Sequence, residues 1–292
     1  MFHVEPMSKT KKNKILEATD HLVSGESFSI HWDPTRHRAW TDVEHLETLD
    51  AYYDSLDYIS HRSKPESFVS LLYVLAREIM LNYKYALLKK HLQPKSRLLD
   101  MGCGTGAFLA FMKKRGFQVY GIESNPKARG ICLKNNLEVR DTEKGLAPSS
   151  FDMISLWHVL EHLPEPEISV TAYKGFLKPK GLLFVAVPNF ESHDSIHYKE
   201  DWAALDVPRH LWHFTSKGLI KMFNELGFDF VEKREPWDLM FSTSVIFQKN
   251  IRGDHYLYLG ELLRALCFPP RPFLQANIHL GFMYLGNRFS SV

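Results

Sequence analysis

The residues best placed to do chemistry begin with Leu98-Leu99-Asp100-Met101-Gly102-Cys103-Gly104-Thr105-Gly106, in which a carboxylate is followed by three alternating glycines. Glycines let a backbone approach a ligand closely, and the start of a following helix offers free N–H groups. Gly102, Gly104 and Ala107 also satisfy the dinucleotide pattern GxGxxG/A, so the glycines alone leave the ligand open. Asp100 narrows the choice, because a carboxylate here repels a pyrophosphate and attracts an ammonium group. The ligand favoured is zwitterionic, such as the methionine moiety of S-adenosylmethionine. Its ammonium would face Asp100 while its carboxylate takes N–H bonds from the loop. Glu123 lies 23 residues after Asp100, where an acid at a strand end can accept both hydroxyls of a ribose. Nicotinamide enzymes place an acid there too, so Glu123 does not separate the two cofactor classes. A second group, His158-Val159-Leu160-Glu161-His162, has a counterpart downstream in Pro208-Arg209-His210-Leu211-Trp212-His213-Phe214.

The elements that must position these residues alternate in type. Apolar runs at Arg97–Asp100, Val119–Glu123, Leu137–Arg140, Met153–Leu156, Leu182–Val187 and Phe228–Lys233 read as strands. Helical patterns at 107–115, 126–135, 165–177 and 216–226 separate them. Asn125-Pro126 reads as a helix cap followed by a proline in the first turn, and Ser216 and Gly227 bracket the last helix. This order predicts a doubly wound, mostly parallel sheet with helices on both faces. The His158–His162 motif then follows the fourth strand, at the carboxyl ends where open α/β sheets bind ligands. Residues 190–214 are too long for a turn and read as an insertion over the site. Ahead of the sheet, apolar spacing from Pro65 to Pro94 predicts a long helix. The chain divides into a flexible tail (1–20), a helical, substrate-side addition (21–94), a cofactor domain (95–235) and a tail of unread arrangement (236–292).

Composition excludes several function classes. Of 292 residues, 45% are hydrophobic and 24% charged, as in an ordinary folded protein. A net charge of +2 gives no field that implies nucleic acid, and the one basic run, Lys9, Lys11, Lys12 and Lys14, reads as a solvated tail. Three cysteines without a CxxC pair suggest reduced thiols and no zinc framework. With no secretory signal and no apolar stretch of membrane length, the expected setting is cytoplasmic, with no membrane partner. Oligomeric state is left open.

Taken in order, LLDMGCGTG, GIE, FDMISLWHVLEHL and FLKPKGLLFVAVPN resemble the class I S-adenosylmethionine-dependent methyltransferases from about Arg97 to Lys233. The resemblance implies a seven-stranded sheet whose last hairpin is antiparallel. It also implies that Asp141-Thr142, after the third strand, contact the adenine and that Leu156-Trp157 flank the cofactor. A final strand near the carboxyl terminus is missing from the pattern, so either Phe241–Phe247 supplies it or the sheet is incomplete. LWHVLEH with a later PRHLWHFT resembles a bacterial subgroup akin to the ubiquinone-pathway O-methyltransferases and the terminal 2′-O-methyltransferases of small RNAs. Those hold a divalent metal with Glu-x-x-Glu-His and a later His; here His158 replaces the first Glu, leaving His158, Glu161, His162 and His210 as candidates.

Three roles remain open for that group. As ligands they suit a transition metal better than magnesium. As bases they could take a proton from an attacking hydroxyl. As structure they could cap helices and tie down the insertion. The expected reaction is methyl transfer to a small acceptor, most simply at oxygen, with Glu161, His162 and His210 catalytic. The expected cofactor contacts are Asp100, Gly102, Gly104, Gly106, Glu123, Asp141, Thr142 and Trp157. A divalent metal is an option but is not expected. Tyr52, Tyr53, Tyr58 and Trp202 are candidates to line an aromatic acceptor pocket. The alternatives are a cofactor-binding protein without catalysis and a nicotinamide-dependent oxidoreductase.

Overall fold

The structure is a computed structural model that describes residues 13–53, 68–234 and 242–249. The chain forms two units, one of residues 1–61 and 83–251 and the other of 62–82 and 252–292. In the larger unit the first elements are strands β1 (Lys14–Thr19), β2 (Ser27–Asp33) and β3 (Arg38–Thr41). A 3₁₀ segment, Leu46–Tyr53, follows. Helix α1 (Phe68–Leu88) contributes its last residues, Tyr83–Leu88, to this unit, and its first part is all that is described of the other.

Next come β4 (Arg97–Met101), α2 (Ala107–Lys113), β5 (Gln118–Ile122), α3 (Pro126–Lys134), β6 (Glu138–Arg140), β7 (Phe151–Trp157), α4 (Pro166–Phe176) and β8 (Leu177–Pro188). The remaining elements are α5 (His193–Tyr198), β9 (Trp212–Phe214), α6 (Ser216–Glu225), β10 (Phe228–Arg234) and β11 (Ser242–Lys249). Seven strands form one sheet in the order β10-β11-β8-β7-β4-β5-β6. The neighbours from β8 to β6 are parallel, while β11 runs antiparallel to both β8 and β10. Strands covered on both faces need apolar side chains in succession. Leu183, Phe184, Val185, Ala186 and Val187 in β8 are accordingly all buried. Phe223 of α6 stacks on Phe247 of β11, with ring centroids 4.2 Å apart.

Local signals explain the helix ends. The Asn125 side chain accepts the N–H groups of Lys127 (2.9 Å) and Ala128 (3.2 Å), and Pro126 occupies the first turn of α3. At α6 the cap is Thr215 rather than Ser216: its hydroxyl accepts the Gly218 N–H at 3.0 Å. The same hydroxyl donates to the His37 carbonyl at 2.6 Å, which ties α6 to the β2–β3 turn. Gly218 permits that approach, since a Cβ there would sit 2.2 Å from the His37 oxygen.

Ahead of α1 the expectation of a helical addition is corrected. β1, β2 and β3 pair in an antiparallel sheet that β9 completes, in the order β1-β2-β3-β9. The insertion is thus no lone loop, because its last residues form a strand on β3, with Ala39 opposite His213 and Trp40 opposite Trp212. The strands were hidden because both faces of this sheet are covered: His31 and Arg38, on the face opposite to Ile30 and Ala39, are buried as well, which blurs any polar–apolar alternation. The tail is corrected too, since Lys14–Thr19 is strand β1; residues 1–12 lie outside the described residues. The missing last strand is β11, close to the Phe241–Phe247 alternative. Of the carboxyl-terminal tail, 236–241 and 250–292 lie outside the described residues, as does Tyr58. Among the described residues no helix is long and apolar enough to cross a membrane.

Candidate active site

Asp100 is the penultimate residue of β4, and the glycine loop leaves the sheet directly after it. Gly102, Gly104 and Gly106 all have left-handed backbones, with φ of +62°, +56° and +77°, a conformation that costs any other L-residue. Two of them are also pressed by neighbours. A Cβ on Gly106 would lie 2.5 Å from Leu137 Cδ1, and one on Gly102 would lie 2.7 Å from Val159 Cγ2. At Gly104 none of the described residues stands within 4 Å of such an atom, so the loop leaves an open cradle there. Glu123 follows β5 and braces this loop. One carboxylate oxygen accepts the Gly104 N–H at 2.7 Å, and the other accepts the Asn125 N–H at 2.8 Å. Two more of the loop's amides are occupied: Cys103 N–H reaches the Ile122 carbonyl and Gly106 N–H the Cys103 carbonyl, both at 3.0 Å. The expected N–H bonds to a ligand carboxylate therefore have no donor in these three groups.

Asp100 is buried, and its Oδ1 accepts the Ser155 hydroxyl at 2.6 Å. Burial pushes its pKa up to about 7, against the opposing pull of Ser155 and Lys84. Trp157 ends β7, two residues beyond Ser155. Its ring packs 5.5 Å from Phe108 and 4.0 Å from Phe184, and among the described residues its buried indole Nε1 has no hydrogen-bond partner. Asp141 and Thr142 follow β6 and are exposed, at the carboxyl end of that strand.

After Trp157 the chain turns sharply at His158, whose φ is +55°, and enters a 3₁₀ turn, Leu160–His162. Glu161 is fully buried there. Its backbone carbonyl accepts the Leu211 N–H at 2.8 Å, and Trp212 Nε1 donates to the Leu163 carbonyl at 2.8 Å. These bonds hold the two histidine motifs together across almost 50 residues of sequence. The His162 and His210 rings meet edge to face with centroids 4.6 Å apart. One donor atom each from Glu161, His162 and His210 lies within 4.8 Å of the others. His158 stays outside this trio: it is exposed and pairs through Nδ1 with Glu161 Oε1 at 3.2 Å.

Carbonyl partners set the histidine tautomers, because a carbonyl can only accept. His162 Nδ1–H donates to the Arg209 carbonyl at 2.9 Å, beside the Tyr53 hydroxyl at 3.1 Å. His210 Nδ1–H donates to the Ala204 carbonyl at 2.9 Å. Each ring therefore keeps its lone pair on Nε2. Burial drives the His210 pKa down to about 3, so this imidazole is neutral at physiological pH. For Glu161, burial works to raise the pKa. The His158 hydrogen bond and the nearby imidazoles outweigh it and hold the group below the usual carboxylate range. Among the described residues Glu161 Oε2 has no hydrogen-bond partner.

Sequence reasoning missed the group beneath this cluster. Arg209 is buried with its guanidinium on Asp20 (2.9 Å) and Asp206 (2.7 Å), and Nη1 donates to the Tyr52 carbonyl at 3.2 Å. Asp20 in turn caps the β1–β2 turn by accepting the N–H groups of Leu22 and Ser24. The adjacency of Arg209 to His210 was the available signal, but nothing local names its partner 189 residues away. Lys84 and Ser155 were missed as well. Of the aromatic candidates, Tyr53 reaches the cluster, Tyr52 bonds to Glu26, and Trp202 is buried among Ile30, Ala39, Leu205 and Val207.

A mixed seven-stranded sheet with an antiparallel strand beside its edge, and a glycine loop between two acids at adjoining strand ends, define a class I S-adenosylmethionine-dependent methyltransferase. The sequence profile of the family described as "Methyltransferase domain" matches residues 71–233, more than half of the chain, and the chain belongs to that family. It is similar to the ubiquinone biosynthesis O-methyltransferases of Azoarcus sp. (33% identical over 103 residues) and Xanthomonas campestris (34% over 106). These matches cover 32% and 33% of this chain and 44% of each relative, less than half of the relatives' length. A solved S-adenosylmethionine-dependent methyltransferase from Methanosarcina mazei aligns over 57% of this chain and 99% of its own, at 18% identity and a TM-score of 0.48.

The residues fit the family's cofactor, S-adenosylmethionine. Among the described residues the cradle at Gly104 is open, Glu123 stands beside it, and the Trp157 indole N–H lacks an acceptor.

Proposed function

We propose that this protein transfers the methyl group of S-adenosylmethionine to a hydroxyl of a small-molecule acceptor. The observation that carries the reading is the glycine loop: three left-handed glycines, open at Gly104 and braced by Glu123, directly follow a buried acid. The bound cofactor supplies an electrophilic methyl carbon together with its own leaving group. The chain must then hold the reactants in line, exclude water and manage one proton. Asp100 holds the ammonium end, Glu123 the ribose, Asp141 and Thr142 the adenine side, and Trp157 flanks the cofactor. The oxygen acceptor is supported by the names of the similar ubiquinone biosynthesis enzymes.

Glu161, His162 and His210 are the acceptor-side group. His162 is half-buried, and its Nε2 lone pair is the base that takes the hydroxyl proton. His210, held neutral by burial, is a packing and orienting partner and not the proton store. A second reading is favoured by one observation: Glu161 Oε2 is buried without a partner beside two imidazoles. Two nitrogens and a carboxylate suit a divalent transition metal, which would lower the pKa of a hydroxyl held there.

The test incubates the protein with cofactor carrying a deuterated methyl group and a small-molecule extract. Products heavier by one labelled methyl group on oxygen are expected. Labelled products on nitrogen or carbon alone would overturn the oxygen assignment, and no labelled product with intact cofactor binding would favour a binder without catalysis.

A further inference from the structure

We propose that His193 and His197, on the surface of helix α5, chelate one divalent transition-metal ion between their imidazole nitrogens. The pair shares no residue with the cluster of Glu161, His162 and His210, and the site does not depend on the methyl-transfer reading.

The two histidines are four residues apart on α5, the spacing that brings side chains together on one helix face. Their rings lie nearly parallel, at 11° to each other, with centroids 6.0 Å apart, and both residues are exposed. An ion held tetrahedrally at about 2.0–2.1 Å from one nitrogen of each ring puts the ring centres roughly 5 Å apart. A small turn of the two side chains closes that difference. Imidazole nitrogens favour copper, nickel or zinc over magnesium and calcium, which take oxygen ligands. Among the described residues no third His, Cys, Asp or Glu completes a set of three donors with this pair, so water fills the other positions.

Neighbouring groups hold the pair ready. The Ser192 hydroxyl caps α5 by accepting the Ser195 N–H at 3.1 Å, and the Ser195 hydroxyl donates to the Phe190 carbonyl at 2.9 Å. The His197 ring stands at 89° to the ring of Tyr198, 4.7 Å away, and Tyr198 packs against the apolar cluster that contains Trp202. Behind His193, the carboxylate of Asp194 is buried and lies 3.6 Å from Nδ1. An acid there favours the tautomer with its proton on Nδ1, which leaves the Nε2 lone pair outward, as carboxylates behind metal-binding histidines do. The candidate active site gives Asp194 no other task. A helix of six residues is marginal by itself, so an ion that bridges one turn of α5 also steadies the start of the 190–214 segment.

The test is calorimetric titration of the full chain, purified without a histidine tag, with nickel(II) as the probe. His193→Ala and His197→Ala should each weaken one nickel site by roughly tenfold or more, the loss of one arm of a chelate. Both side chains are exposed, so the metal-free variants should melt as the unsubstituted protein does. His162→Ala should leave this site's affinity unchanged, which separates it from any ion held at the buried cluster. With copper(II) in place of nickel, electron paramagnetic resonance should show two coupled nitrogens in the unsubstituted protein and one in either variant. Nickel affinity unchanged in both α5 variants would overturn the proposal. So would a single site that is lost in His162→Ala and kept in His197→Ala.

Discussion

The two halves of the candidate site are built in opposite ways. The proposed cofactor side lies almost wholly between Arg97 and Trp157, on four neighbouring strands and the loops that follow them. Its geometry is backbone geometry: left-handed glycines, a strand-end acid and a carboxylate that braces the loop. The proposed acceptor side gathers Asp20, Tyr53, Glu161, His162, Asp206, Arg209 and His210 from across the unit, and side chains hold it together. A site made by local backbone resists substitution of its surroundings. One made by distant side chains depends on each of its ties.

Breaking the strongest of those ties gives the largest expected effect. Arg209→Met leaves Asp20 buried, with Asp206 beside it, and no cation for either, which costs about 3–5 kcal/mol. Thermal denaturation should show a melting temperature lower by roughly 10 °C. The carbonyl of residue 209, which orients His162, should shift with it. A change of a degree or less would mean that the acceptor side does not hang on this ion pair.

A smaller effect tests the chemistry and leaves the scaffold in place. His162→Ala should reduce turnover by about 100-fold while S-adenosylhomocysteine affinity stays the same. If the metal reading holds instead, a chelator should abolish activity of the unsubstituted enzyme and a divalent ion should restore it, with near-stoichiometric metal in elemental analysis. Activity untouched by both treatments would reduce the cluster to scaffolding.

On the cofactor side, Asp100→Asn sharpens the contrast because stability and function should part. The ordinary value for an aspartate is 3.8, and burial raises Asp100 to about 7. The folded state therefore binds this proton more tightly than the unfolded chain does, and the group's contribution to stability declines as pH rises from about 4 to about 7. An amide keeps the Ser155 hydrogen bond without the buried charge. At pH 8 the variant should melt a few degrees higher, yet bind S-adenosylhomocysteine about tenfold more weakly. A lower melting temperature would show that the charge is compensated in the ligand-free protein.

The same contrast explains what could be read from sequence. LLDMGCGTG is legible because left-handed turns demand glycine and because Asp100 stands beside them, and the run LLFVAV is legible because a strand covered on both faces must be apolar throughout. The sheet of β1, β2, β3 and β9 was not, since β9 pairs with β3 from more than 170 residues away and buried polar groups such as Arg38 and His31 disguise the strands. The histidine motifs were visible as chemistry, and their meeting depended on the bonds from Leu211 and Trp212. Lys84 was hidden because a lysine on a long helix reads as a solvated side chain until its aromatic neighbours are placed.

The central claim is that an acid ahead of the glycines selects S-adenosylmethionine over a dinucleotide. Calorimetric titration of the intact chain with S-adenosylhomocysteine and, separately, with NAD tests it most directly. The account predicts saturable one-to-one binding of S-adenosylhomocysteine and no binding of NAD. Saturable NAD binding with no response to S-adenosylhomocysteine would contradict it.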